Sequence, residues 1–258
     1  MRLLAFCILL VGSATPGLGQ GIFDRALDTY LNGSGDTSIV LFTAAIAQGD
    51  QPARAHMMRG AAYFALDDFP RGRADLDSAK ALDASLPKLA YYYGRWHLFQ
   101  GQYTEALDHF NAALRVDSTH ADAWNCRAMC RCGLGDPAGA ITDEDQAIRL
   151  ATPKDKGEYL TNRGWAHVML HDYPTAIQDL TAAIAIAPDQ KAYADRGFAY
   201  MRSQKYAPAV EDFTRSLEIV AEDADVLYYR GLCNTMLGYV MTGCADQKKS
   251  AALGHQKA

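Results

Sequence analysis

Cations are in deficit. Lys and Arg number 25 against 30 Asp and Glu, a formal net charge of −5 over 258 residues. That balance argues against a nucleic-acid binder led by phosphate contacts. Turn formers are not crowded either: 21 Gly and 9 Pro exclude a linker or low-complexity chain. Glycine-rich phosphate loops, the His-Glu-x-x-His zinc motif and the nucleophile elbow are all missing from the sequence. The seven histidines are scattered, and His97 and His167 share one position of a repeat described below, which suits packing better than metal binding. No apolar run reaches the roughly 20 residues of a spanning helix. What is present, 49% apolar and 21% charged residues, is the composition of a folded globular chain.

The first segment reads as an address. Residues 1–19 place one cation, Arg2, before a nine-residue apolar run, Leu3 to Val11, and then a small-residue stretch with Pro16. This is the order of a signal peptide, with Gly17 and Gly19 fitting a cleavage before Gln20. Phe6 stands where lipoprotein processing at Cys7 would want a small residue. Cleavage removes one Arg and leaves a mature charge of 24 − 30 = −6. The expected compartment is periplasmic or extracellular.

A period of about 34 residues organises the remainder. Small residues recur at Ala26, Gly60, Gly94, Ala128, Gly164, Gly197 and Gly231, spaced 34, 34, 34, 36, 33 and 34 apart. Twelve residues after each lie Ser38, Gly72, Ala106, Ala140, Ala176, Ala209 and Gly243. Four further on come Phe42, Leu76, Phe110, Glu144, Leu180, Phe213 and Gln247. Small residues at facing positions let two helices cross closely, while the large residue one turn on fills the space beside them. Runs such as Thr104–Val116 carry apolar residues at three- and four-residue spacing, and breakers such as Gly135-Asp136-Pro137 separate them. The spacing predicts an all-α chain.

On these residues the sequence resembles the tetratricopeptide repeat family, most closely over Gly164–Pro188, where Gly164, Tyr173, Ala176, Leu180, Ala183 and Pro188 stand at the family's preferred positions. The resemblance implies an α-solenoid of about seven antiparallel helix pairs over residues 20–258. Its repeats fall at 19–52, 53–86, 87–120, 121–154, 157–190, 190–223 and 224–257, the last a cap.

Charge follows the same period. An Arg precedes the small residue at Arg25, Arg59, Arg127, Arg163, Arg196 and Arg230, and sixteen residues later stand Asp75, Asp143, Asp179, Asp212 and Asp246. The third repeat has Tyr93 and His109 instead, losing both charges together, whereas Arg25 faces Leu41. The joint loss predicts Arg–Asp pairs that fix helix register. In the fourth repeat Glu144 replaces Phe or Leu, and Arg131 takes the place of Tyr63, His97, His167 and Tyr200. Two complementary intruders predict an Arg131–Glu144 ion pair.

Five cysteines outlast cleavage: Cys126, Cys130, Cys132, Cys233 and Cys244. Cys233 lies five residues before Gly238 and Cys244 six after, so in an oxidising compartment a Cys233–Cys244 disulfide is expected. Cys126, Cys130 and Cys132 lack common zinc spacing and read as buried thiols. Neither a metal nor a cofactor is expected.

In this family an i,i+4 stripe on the first helix of each repeat lines a concave groove. The resemblance places Met57 and Ala61, then Tyr91, Arg95, Phe99, Met129, Trp165, Met169, Phe198 and Arg202 there. Aromatics, Met and Arg are what binding hot spots favour. Relatives that clamp a C-terminal carboxylate use Lys and Asn in this groove. Met57, Ala61, Tyr91 and Arg95 occupy those places here, so no such clamp is expected. The resulting expectation is a non-enzymatic scaffold of the cell envelope that binds a protein or peptide. The alternatives are a metal- or redox-active protein using Cys126–Cys132, or a binder of cell-wall glycan.

Overall fold

A computed structural model describes residues 21–255, and the signal-peptide reading of residues 1–19 lies outside them. The described residues form fourteen α-helices and no strand. The chain divides into two compact units, residues 1–89 and 90–258. In the first, α1 (Ile22–Leu31), α2 (Gly35–Ala47), α3 (Pro52–Ala65) and α4 (Phe69–Leu82) pack each on the next. α5 (Leu89–Phe99) begins at the division.

The second unit continues with α6 (Tyr103–Val116), α7 (Ala121–Gly133), α8 (Pro137–Leu150), α9 (Lys156–Met169) and α10 (Tyr173–Ile186). It ends with α11 (Gln190–Arg202), α12 (Tyr206–Ile219), α13 (Ala224–Met236) and α14 (Val240–Ala252). From α6 onward every helix packs on its neighbours in sequence, as repeat architectures do.

The caps explain where the helices begin. Asp68, Asp136 and Asp172 accept from the backbone N–H of Arg71, Gly139 and Thr175, and a proline follows in each first turn. Asp189 and Asp223 cap α11 and α13 in the same way. Between the two helices of each pair the chain makes one left-handed residue, and its identity varies. Gly101, Gly135 and Gly238 hold φ of +70°, +80° and +88°, but His171 and Gln204 hold +60° and +61°. A side chain at that φ costs about 1 kcal/mol or more. Gln204→Gly is therefore expected to stabilise the protein by about 1 kcal/mol in urea unfolding; a loss of stability would show that the Gln204 side chain contributes something the backbone geometry does not reveal.

Small residues mark the close crossings. A Cβ built on Gly60 would stand 2.9 Å from the carbonyl oxygen of Gly72, and one on Gly231 the same distance from that of Gly243. The large residue of each repeat presses on the same spot: a Cβ at Gly94 would meet the Phe110 ring at 2.7 Å, and one at Gly197 the Phe213 ring at 2.9 Å. Phe42, Leu76, Phe110, Leu180 and Phe213 are all buried to within 1%.

The arginines are forked onto the aspartates. Arg59 on Asp75, Arg127 on Asp143, Arg163 on Asp179, Arg196 on Asp212 and Arg230 on Asp246 each donate from Nε and Nη2 to both carboxylate oxygens at 2.6–2.8 Å. The remaining nitrogen, Nη1, reaches back to the second helix of the preceding repeat. Its acceptors are Thr43, Asn111, Asp145, Thr181 and Thr214, at 2.7–3.3 Å. Each acceptor follows the large core residue by one position, a recurrence visible in the sequence. In the third repeat, Tyr93 and His109 stack instead, with ring centroids 5.5 Å apart. Arg25 is exposed.

Two pairings expected from the sequence do not form. Arg131 turns to aspartates, with Nε 3.1 Å from Asp143 and Nη1 3.6 Å from Asp136, and leaves Glu144 alone. Asp143 already accepts the Arg127 fork, so Arg131 joins an existing cluster rather than entering the core. Cys233 and Cys244 are free thiols. Cys233 is buried among Ala209, Phe213 and Val226, whereas Cys244 is exposed on α14. Nearness in height along two helices is not enough when the two side chains leave their helices in different directions.

Candidate functional site

The first helices of the repeats in the second unit, α5, α7, α9, α11 and α13, contribute to one face. Two adjoining pockets open on it. The larger holds about 490 Å³ and is walled by Leu98 and Phe99 of α5, Tyr103 of α6, Met129 of α7, and Trp165 and Met169 of α9. Ala128, Cys132, Ala140 and Glu144 also line it, with Asn162 and Lys191. The second, about 320 Å³, shares Trp165 and Lys191 with the first and adds Phe198, Tyr229, Asp195, Asp223 and Asp225.

The stripe residues are divided by this geometry. Phe99, Met129, Trp165 and Met169 converge on the larger pocket, and Trp165 with Phe198 on the smaller, the two rings 5.8 Å apart. Phe99 and Met129 are well exposed, at 57% and 41%. Arg202 is exposed and lays its guanidinium 5.7 Å from the Phe198 ring. Arg95 is half-buried and lines neither pocket. Tyr91 is not a groove residue: it is buried, packed on Tyr92, Phe110 and His120. Met57 and Ala61 are likewise core in the first unit. A residue with its side chain on the stripe is still covered when the neighbouring helix lies over it.

A polar chain that the period does not announce runs along the same face. Asn125 of α7 is buried and donates to Glu158 at 3.2 Å. Asn162 donates to Asn125 at 2.8 Å, and Lys191 donates to Asn162 at 3.2 Å and to Asp195 at 3.1 Å. Burial raises the Asp195 pKa, against the pull of Lys191. These residues join three repeats; Glu158 and Lys191 share one repeat position and Asn162 and Asp195 another, but the bonds that link them show only on the assembled face.

Glu144 is the anomaly of this site. It is 1% exposed, and neither carboxylate oxygen has a hydrogen-bond partner. Burial holds its pKa well above the ordinary carboxylate range, and the nearby charges of Glu158 and Asp143 add to the effect. It stands where other repeats place Phe or Leu.

The cysteines near it are poor nucleophiles. Burial pushes the Cys126 and Cys130 thiols up to about 12 and Cys132 to about 11. Among the described residues no three His, Cys, Asp or Glu side chains are grouped to hold a metal ion. No described helix is long and apolar enough to cross a membrane.

Comparison with known proteins agrees with this architecture. The family model described as Tetratricopeptide repeat matches residues 94–156. Human "Tetratricopeptide repeat protein 6" is 27% identical over 187 residues, 71% of this chain and 35% of that protein. "Hsp70-Hsp90 organizing protein" of Triticum aestivum is 25% identical over 130 residues, 50% of this chain and 22% of that protein. The chain thus spans about a third or less of these relatives. A tetratricopeptide repeat protein from Parabacteroides merdae superposes with a TM-score of 0.64 at 17% identity, covering 92% of this chain and 93% of that one. The recurring small residues, the helix pairs they bring together and these matches mark tetratricopeptide repeats in this chain, by direct match over residues 94–156.

Proposed function

We propose that this chain is a non-enzymatic scaffold of the cell envelope that binds a protein or peptide along the face built by α5, α7, α9, α11 and α13. Tetratricopeptide repeats are generally protein-interaction scaffolds. The observation that carries the proposal is the convergence of Phe99, Met129, Trp165, Met169 and Phe198 on two adjoining pockets, with Trp165 and Phe198 anchored against the core beneath them. Exposed aromatic and thioether side chains around concave pockets are the residues through which binding energy is concentrated. The envelope setting rests on the signal-like order of residues 1–19. The raised pKa values of these thiols, of which Cys130 is buried and Cys126 and Cys132 half-buried, weigh against a redox role for Cys126–Cys132.

The test is a tethered array of randomised decapeptides. Wild-type protein should retain a subset, and Trp165→Ala with Phe198→Ala should lose it, each side chain contributing about 2 kcal/mol if buried on binding. Retention unchanged in the double variant, with native helix content by circular dichroism, would remove this face from consideration. N-terminal sequencing of protein recovered from the source cell should begin at Gln20 if the envelope assignment holds.

A further inference from the structure

The larger pocket contains a carboxyl group with nothing to bind. In the third, fifth and sixth repeats the same register carries Phe110, Leu180 and Phe213, which fill the space against the facing helix, and in the terminal repeat it carries Gln247. In the fourth repeat the side chain is Glu144, flanked by Ala128, Cys132 and Ala140, and the pocket opens at that place. Every cation near Glu144 is already engaged. Lys191 donates to Asn162 and Asp195, Arg163 is forked on Asp179 and bonded to Asp145, and Arg131 is held by Asp143 and Asp136. Both Glu144 oxygens are left without a donor at a buried position, where such a deficit costs most.

The walls specify what is missing. Leu98, Phe99, Tyr103, Met129, Trp165 and Met169 form the apolar and aromatic wall of the pocket that Glu144 also lines, its carboxyl oxygens covered in the free protein. A side chain with an apolar stem and a cationic tip matches both parts. Its methylenes cover the wall, its charge lies near aromatic rings, and its N–H groups satisfy the acceptor. The adjoining pocket repeats the theme, with Asp195, Asp223 and Asp225 beside Trp165, Phe198 and Tyr229. Asp195 is held by Lys191, Asp223 by Gln190 and the α13 backbone, and Asp225 by His255, so the case for a basic segment rests on Glu144.

We infer that the larger pocket is a specificity site for an arginine or lysine side chain of a bound polypeptide segment, with Glu144 as its acceptor. The inference rests on the reading of this face as a peptide-binding surface and names what that surface selects. Binding requires Glu144 to give up its proton to solvent, so the charged pair forms only as the carboxyl ionises. Burial, Glu158 and Asp143 hold the proton on, while Lys191 and Arg163 favour its loss.

The experiment uses the full mature chain and blocked heptapeptides chosen from those the array retains, each synthesised with Arg, Lys, citrulline or norleucine at the selected position. Citrulline keeps the shape of arginine without its charge. Wild type should prefer Arg or Lys over citrulline by about tenfold or more, with proton release detected as a buffer-dependent binding heat. Glu144→Gln should bring the arginine-to-citrulline ratio close to one and abolish the proton release, and Glu144→Leu, the residue native to sister repeats, should do the same while folding well. Peptides that are retained through Trp165 and Phe198 but show no preference for a basic residue would overturn this inference and leave the peptide-binding face standing. An arginine preference that survives in Glu144→Gln would overturn it equally. An array that retains nothing would overturn both readings.

Discussion

Glu144→Leu is expected to stabilise the free protein by about 1–3 kcal/mol, because it removes a buried carboxyl that has no donor and restores the aliphatic residue of the sister repeats. The effect should depend on pH with a definite sign. Burial raises the folded-state pKa of Glu144 above its unfolded value near 4.3. Between those two values the folded protein holds a proton that the unfolded chain has lost, so wild-type stability falls as pH rises through that window. Below about pH 4.3 the carboxyl is protonated in both states and the ionisation penalty vanishes. The advantage of the leucine variant should therefore be smallest in acid, grow as pH rises, and level off above the folded-state pKa. Urea unfolding of both proteins at several pH values measures it directly. A gap of constant size, or a less stable variant, would mean that Glu144 finds a partner in solution that the structure does not contain.

The second large effect is expected at the arginine forks. Arg196→Met should cost about 2–4 kcal/mol, since it leaves the Asp212 carboxylate buried without its donors and cuts the link to Thr181. Arg196 is itself 17% exposed, which keeps the cost below that of a fully buried pair. Most of the loss should return in the double variant Arg196→Met with Asp212→Leu, because both halves of the polar pair are then replaced together. Two single losses that simply add in this cycle would show that the forked bonds contribute nothing in common.

What could be read from the sequence was what repeats. The crossing glycines, the large residue one turn on and the Arg–Asp spacing recur through the chain, so chance and meaning separate without a structure. The third nitrogen of each arginine could have been found in the same way, from the polar residue that follows Phe42, Phe110, Glu144, Leu180 and Phe213. The errors fall where a feature occurs once. Arg131 and Glu144 are complementary in charge and close in register, but Arg131 bonds instead to the equally buried Asp143, which already holds the Arg127 fork, and reaches out to the exposed Asp136. Cys233 and Cys244 were placed by height along two helices, and the direction of each side chain decided against them. The site itself was half legible. Its aromatic walls lie on the stripe, whereas the Asn125–Asn162–Lys191–Asp195 chain depends on which helices become neighbours.

The backward reach of each arginine bears on how such a chain can lengthen. Arg196 needs Thr181 in the repeat before it, while Asp212, its own carboxylate, lies within its repeat. A tandem copy of residues 157–190 would carry Arg163, Asp179 and Thr181 together, so the copied arginine would find its threonine in the original and the next repeat would find one in the copy. Every contact of this Arg–Asp–acceptor set would be inherited with the duplicated segment and none of them would have to be acquired afterwards. A deletion of one such unit would close up by the same rule. The Arg–Asp–acceptor set thus behaves as a connector with matching ends, and whole repeats can be gained or lost there with little penalty, whereas a gain or loss of a few residues would separate an arginine from its acceptor.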